Sequence, residues 1–366
     1  MSTAPVETNA VASTPATANT HVMGTPATSA HATAGHGHGH GAVAPPVASG
    51  ERTHAIVFEA PGKLGTFDAS LRVAADDEVV VDTAYSSIST GTERLIFAGK
   101  LPGFPMLRFP LVPGYESAGV VSRVGSACGD VRVGDAVFVG GSMCYTDVAG
   151  VFGGNAARLI KKAAQVVPLH GISLRQAPLL ALAATSLHGV RRLGDVRDRR
   201  ICVLGMGAIG QFAARFLVRA GARVVCADVN AARLADTPPG CESLDLASVA
   251  LDDALQDLDA LVEATGRSEE IARCARALRP GGTIVLLSYY DELRTPYVDL
   301  FVKEATLVIA REWAHADLLA ARDAFASGEI GAGRLADHVL PVAAYERAYR
   351  TAFEDPSIPK VILQWA

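Results

Sequence analysis

From Thr53 to about residue 150 the apolar positions come in short β-branched runs, each cut by Gly, Asp or Pro. "THAIVFEAPGKLGTFDAS" and "DDEVVVDTAYSSIST" read as strands of a small β-domain. "VPGYESAGVVSRVGSACGDVRVGDAVFVGG" continues with Gly at nearly every turn, and "VRVGDAVFV" predicts a tight turn feeding a buried strand. At "SLRQAPLLALAATSLHGVRRL" the period becomes helical, with no Gly until Gly189, which marks a domain crossing. "RRICVLGMGAIGQFAARFLVRAGARVVCADVN" then spells a buried strand over 201–204, an amphipathic helix, and a second strand over 224–227 that Asp228 ends. "LDALVEATG" (258–266) predicts a strand, "SEEIARCARALRPGG" a helix and turn, "TIVLLSYY" a strand, and "ATLVIA" (305–310) a candidate edge strand. A β-rich part followed by alternating strands and helices predicts an α/β chain, its second part a doubly wound parallel sheet.

The first fifty residues break the pattern. "MSTAPVETNAVASTPATANT" is rich in Ala, Thr and Pro, carries Glu7 as its sole charge and has no periodic apolar face. Such a segment buries too little surface to offset its chain entropy and is expected to be a disordered tail. It has neither the basic start and apolar stretch of a secretion signal nor the arginines of a transit peptide. His36, His38 and His40 alternate with Gly, which reads as a solvated tract or a loose transition-metal binder. The remaining length suffices for two domains with cores of their own. With 49% hydrophobic and 19% charged residues the composition is that of a soluble α/β protein. A net charge of -5 without a basic cluster gives no reason to expect nucleic acid. Six cysteines lack CxxC spacing, so reduced thiols in a cytoplasmic protein are expected, and no apolar run reaches membrane-spanning length.

The glycine turn carries the clearest chemistry. Gly205, Gly207 and Gly210 stand in G-x-G-x-x-G spacing between strand and helix. Gly205 permits the tight turn, Gly207 lets backbone approach a pyrophosphate, and Gly210 allows helix and strand to pack closely. The helix opening at Ala208 and Ile209 would offer free N–H groups and a positive dipole end to phosphates. About twenty residues on, Asp228 can accept hydrogen bonds from the adenosine ribose hydroxyls and would repel a 2′-phosphate, favouring NAD over NADP. Arg233 argues the other way, because it can accommodate that phosphate. Strand ends at Thr265–Gly266 and Leu287–Ser288 would lie at the carboxyl edge of the sheet, where nicotinamide sits, or would be plain loop residues. Thr185 completes the candidate cofactor contacts.

The order of a Gly-rich β-domain, a Rossmann domain and a short C-terminal return resembles the medium-chain dehydrogenase/reductase superfamily over residues 54–366. Within it, "ISTGTERLIFAGKLPGFP", "PLVPGYESAGVV", "VFGGNAARLI" and "LLALAATSLHGV" are similar to the bacteriochlorophyllide a dehydrogenases of bacteriochlorophyll biosynthesis, a branch of photosynthetic pigment chemistry. The resemblance implies a GroES-like catalytic domain at 51–183 plus 313–366, a Rossmann NAD-binding domain at 184–312, and a tail at 1–50. It also implies oxidation of a ring-A 1-hydroxyethyl group to acetyl, with the hydride passing to NAD+. Zinc members of the superfamily have ligands where this chain has Thr90-Gly91-Thr92-Glu93, Tyr115 and the neighbourhood of Ala181. Thr, Tyr and Ala cannot supply a tetrahedral set, Glu116 alone is insufficient, and the four-cysteine lobe is missing. A zinc-independent enzyme is expected.

In place of a metal, the hydroxyls of Thr92 and Tyr115, with Thr90 beside them, would orient the alcohol and relay its proton. Glu93 or Glu116 would polarise them. Tyr115 reads equally as a packed core aromatic, Glu116 as a structural carboxylate, and His188 as a base or a packing residue. For a flat apolar ring with a propionate tail, Phe97 and Phe104 would supply a wall, and Arg94, Lys100 and Arg108 a basic rim; loop packing and surface ion pairs explain them as well. Two rival functions share the pattern: a zinc-free reductase of the quinone or enoyl type, which would favour NADPH, and a non-catalytic tetrapyrrole carrier. A homodimer through an unpaired edge at residues 306–310 is also expected.

Overall fold

The computed structural model describes residues 50–101, 107–290 and 292–366. The first β-branched run forms β1 (Arg52–Ala60), which turns back antiparallel into β2 (Lys63–Ser70). β3 (Glu78–Ile88) leads into a short α1 (Thr92–Phe97), and β4 (Leu111–Val112) follows. The Gly-punctuated stretch supplies β5 (Ser117–Val124), β6 (Ala136–Val139), β7 (Ala149–Gly150), β8 (Arg158–Lys162) and β9 (Val166–Pro168). A four-stranded sheet runs β2-β1-β4-β7. Alternation puts Ala55, Val57, Val79, Val81, Val121, Val137 and Val139 on inward faces of this sheet and the next, where they form one buried cluster.

The helical stretch forms α2 (Leu180–Arg191), buried along most of its length, as an apolar helix between layers must be. Then comes the repeating unit: β10 (Arg200–Leu204), α3 (Ala208–Arg219), β11 (Arg223–Asp228), α4 (Ala231–Leu234), β12 (Glu242–Asp245), α5 (Leu251–Ala254), β13 (Leu258–Glu263), α6 (Glu270–Ala277), β14 (Leu278–Leu286), α7 (Tyr297–Phe301) and β15 (Thr306–Ile309). These strands make an all-parallel sheet in the order β12-β11-β10-β13-β14-β15, so the winding reverses between β10 and β13. That reversal opens the crevice in which such sheets bind ligands. One face is covered by α2, α3 and the later α8 (His315–Ala326), with Phe325 set edge-on against Phe212. The other is covered by α5 and α6 through Leu251, Ile271 and Cys274.

Two strand limits differ from the sequence reading. The "RPGG" turn lies inside β14 as an irregularity: Leu258 pairs with Leu278, whereas Ala260 pairs with Thr283. "TIVLLSYY" stops pairing at Leu286, and Tyr290 turns in to a buried carboxyl instead of continuing the strand. The chain returns through β16 (Val339–Pro341), α9 (Tyr345–Glu354) and β17 (Val361–Gln364). β17 pairs antiparallel with β3, Leu363 opposite Ser86, and completes the larger sheet β16-β17-β3-β5-β6-β9, with β8 also on β3. The described residues from Gly50 to Ala366 belong to one compact unit. Within it we propose the division into 51–183 plus 313–366 and 184–312, with α8 packing across it onto α2 and α3.

Gly205 holds φ at +93°, and a Cβ on Gly210 would lie 1.9 Å from the Gly205 carbonyl oxygen. A Cβ on Gly207 would meet no protein atom within 4 Å. Gly210→Ala should therefore lose on the order of 2 kcal/mol or more of stability, since a packed backbone must shift. Gly207→Ala should melt within a degree or two of wild type. Equal melting temperatures for the two variants would contradict this reading of the turn.

Candidate active site

The nucleotide end is built from strand termini. The Met206 N–H donates to Asp228 Oδ2 at 2.7 Å and the Asn230 N–H to Oδ1 at 2.9 Å, which fixes the acid beside the glycine turn. Asp228 is 5% exposed, and Arg233 Nη1 stands 3.8 Å from it. Arg233 Nε and Asn230 Nδ2 both donate to the Pro356 carbonyl at 3.0 Å, bringing the C-terminal loop to this edge. Ala208 and Ile209 open α3, and the Ile209 carbonyl accepts from Ser186 at 2.9 Å. The neighbouring Thr185 bonds the Ala181 carbonyl of its own helix. Thr265 packs its methyl against Gly205, and Gly266, at φ +74°, faces Ser288. The Leu287 side chain turns instead against Gly189 of α2. A dinucleotide fits this geometry: a Cβ at position 207 would meet no protein atom within 4 Å, which leaves the backbone there open to a ligand.

A second cluster of polar side chains gathers where β3, α1, the turn before β5, α9 and the approach to β17 converge. Tyr115 OH and Ser89 Oγ share a hydrogen bond of 2.8 Å. The phenol is flanked by Phe152, edge-on at 5.2 Å, and Trp313 at 6.1 Å. Burial pushes its pKa well above the usual range, the charge of Glu116 adds to that, and hydrogen bonds from Ser89 and Thr92 offset part of it. Glu93, in the first turn of α1, is 0% exposed. It accepts the Ser89 N–H at 3.0 Å, the Tyr349 hydroxyl at 2.7 Å and the Asn155 amide at 3.3 Å. Burial raises its pKa to about 7 against the pull of these bonds, and Glu116 contributes in the same direction. Glu116, also 0% exposed, pairs with Lys360 Nζ at 2.5 Å and accepts from Ser87. Among the described residues its Oε1, like Asn155 Oδ1, has no hydrogen-bond partner. Two carboxylates, one ammonium and a chain of hydroxyls can hold and move a proton beneath the Tyr115–Ser89 pair.

The structure thus brings Thr92, Tyr115, Glu93 and Glu116 together, with Thr90 half-buried next to them. It sends His188 elsewhere. The Nδ1 of its imidazole bonds Asp317 Oδ2 at 2.7 Å, and Arg191 holds the other oxygen. Asp317 also accepts the Ala314 N–H and so ties down the start of α8. Phe97 is packed between Phe58 and Phe353. Arg94, Lys100 and Arg108 are exposed, and Phe104 lies outside the described residues. Arg158 is occupied by Asp82 and Glu51. The sequence reading missed Ser89, Asn155, Tyr349 and Lys360. Only Lys360 left a trace, a lone cation leading straight into the apolar run "VIL".

Thr90, Tyr115 and Ala181 offer no thiolate, imidazole or carboxylate, Glu93 is held by protein donors on both oxygens, and Glu116 is paired with Lys360 through one of its two. Among the described residues no group of three His, Cys, Asp or Glu could hold a metal.

A GroES-like β-domain joined to a doubly wound sheet with a dinucleotide turn defines a medium-chain alcohol dehydrogenase. An alcohol dehydrogenase GroES-like domain profile matches residues 75–171. The 2-desacetyl-2-hydroxyethyl bacteriochlorophyllide A dehydrogenase of Cereibacter sphaeroides is 36% identical, covering 86% of this chain and 98% of its own. The Rhodobacter capsulatus protein of that name is 37% identical over the same shares. The chain belongs to the 2-desacetyl-2-hydroxyethyl bacteriochlorophyllide A dehydrogenase family. In fold it is similar to a short chain alcohol dehydrogenase from E. coli CFT073 complexed with NADH, with a TM-score of 0.73 and 18% identity over 86% of this chain and 100% of that one. No helix among the described residues is long and apolar enough to cross a membrane.

A raised carboxyl pKa means that the folded state prefers the protonated acid. The stability this contributes is full below about 4.5 and is lost as pH rises through about 7. Glu93→Gln should remove a pH-dependent share on the order of 3 kcal/mol, while Glu263, shifted in the same direction, keeps its own. Melting temperature should fall less between pH 5 and pH 8 in the variant than in wild type; identical falls would contradict the assignment.

Proposed function

We propose that this chain oxidises the hydroxyethyl substituent of a bacteriochlorophyllide to acetyl, with NAD+ as acceptor and without zinc. The observation that carries the reading is the buried hydroxyl–carboxyl cluster, in a chain that also holds a dinucleotide turn and matches bacteriochlorophyllide dehydrogenases over 98% of their length. Tyr115 and Thr92 orient the alcohol oxygen. A phenol this hard to ionise works as a neutral relay, giving up one proton as it takes another. Glu93 grips the backbone N–H of Ser89 and so holds that hydroxyl against Tyr115. Glu116, neutralised on one oxygen by Lys360, keeps the cluster polar from below. Trp313 and Phe152 shield the phenol from water. When bound, NAD+ accepts the carbon-bound hydrogen with its electron pair. The developing carbonyl is conjugated with the macrocycle, which lessens the need for a Lewis acid.

Asp228, buried and held by two backbone N–H groups, supports NAD over NADP; Arg233 beside it is drawn off by the Pro356 carbonyl. Exposed Arg94, Lys100 and Arg108 around the α1 loop suit a propionate-bearing ring. A homodimer would pair the open edge of β15, where Ile309 is 64% exposed; Tyr297 and Phe301 of α7 are exposed as well. Six free thiols, five of them buried, support a cytoplasmic setting.

The test is anaerobic incubation of metal-analysed protein with hydroxyethyl-bacteriochlorophyllide a, following the red shift of the long-wavelength band. Acetyl product is expected with NAD+, at least about tenfold faster than with NADP+, and unchanged by chelator. Tyr115→Phe should lower kcat by about 10²-fold or more while leaving NADH affinity intact. Loss of activity with chelator, restored by zinc, would overturn the metal-free reading. NADH bound without turnover would favour a reductase. Light scattering should give a dimer mass; a monomer would remove the edge-pairing proposal.

A further inference from the structure

Glu263 ends β13 at the point where the sheet reverses, and it is 0% exposed. Its partners are all donors. The Thr265 N–H reaches Oε1 at 2.8 Å and the Gly266 N–H reaches Oε2 at 3.3 Å. The Thr265 hydroxyl bonds Oε1, and the Tyr290 hydroxyl bonds Oε2. Two of these four are backbone N–H groups that cannot reverse their role, so the bonds favour the carboxylate form against the opposing pull of burial. The corner it gathers is the far wall of the nucleotide crevice. The Thr265 methyl sits 2.8 Å from where a Cβ on Gly205 would be, and Gly266 meets Ser288 across the strand ends.

We propose that Glu263 is a positioning residue for the dinucleotide, fixing the Thr265–Gly266 corner against the first glycine of the turn. This deepens, and rests on, the reading of that turn as a cofactor site. The group also makes the corner sensitive to pH. Burial lifts its pKa to about 7 against the bonds from Thr265 and Gly266, and Glu270 of α6 pushes the same way. The other titratable neighbours are Cys274 of α6 and Tyr290 after β14, the thiol itself pushed far up by burial. Below about pH 7 the carboxyl takes a proton, loses an acceptor and slackens its hold on the Gly266 N–H.

The experiment is fluorescence titration of full-length protein with NADH, and with NADPH in parallel, from pH 5.5 to 9. Wild-type affinity should weaken about fivefold between pH 8 and pH 6, the scale of one ordinary net hydrogen bond. Glu263→Gln should bind about fivefold more weakly at pH 8 and vary less than twofold with pH. Tyr290→Phe removes a donor to the ionised form, so its midpoint should move to higher pH. A Gln variant matching wild type in affinity and pH profile would overturn the proposal. If the Gln variant fails to fold, Tyr290→Phe decides alone, and an unmoved midpoint would overturn it. Wild type binding neither nucleotide would remove the cofactor reading itself, a different failure from an unaffected variant.

Discussion

Lys360 and Glu116 are both charged and both almost wholly removed from water, at 2% and 0% exposed, so neither is tolerable without the other. Breaking such a pair by removing one partner typically costs about 3–5 kcal/mol, because it strands a buried charge. The two residues are far apart in the chain, and their meeting forces the C-terminal segment to come home beside β3. Once β17 is there, α9 must lie over Phe58 and Phe97, which places Tyr349 within reach of Glu93. The polar cluster under Tyr115 therefore depends on β17 reaching β3, and the larger sheet is incomplete without that strand.

The parts of the fold legible in sequence are those whose determinants are local. The strand–turn–helix–strand over 200–228 announces itself because each glycine answers to an atom a few residues away, as Gly210 does to the Gly205 carbonyl. The open edge at β15 was likewise written in a short β-branched run. Where a turn sits inside a paired strand, as "RPGG" does in β14, local reading stops the strand too early, since a neighbour supplies the continuation.

The site was half legible for the same reason. Tyr115, Thr92, Glu93 and Glu116 lie in motifs that can be read in place. Asn155, Tyr349 and Lys360 matter through partners tens to hundreds of residues distant, and Ser89 meets Tyr115 as well as its neighbour Glu93; no spacing encodes the distant meetings. His188 is the converse case. A histidine on the inter-domain helix attracts a catalytic reading, yet Asp317 claims it together with Arg191 to fasten α8. An acid with three donors of its own leaves that imidazole little freedom to serve elsewhere.

One carbonyl has a mechanical consequence. Pro356 follows α9 in the β-rich part of the chain, and its oxygen is held by Asn230 and Arg233 at the rim of the parallel sheet. Two donors on one acceptor make a strap between the C-terminal return and the rim beside Asp228, so a displacement of either segment that separates them has to break both bonds together.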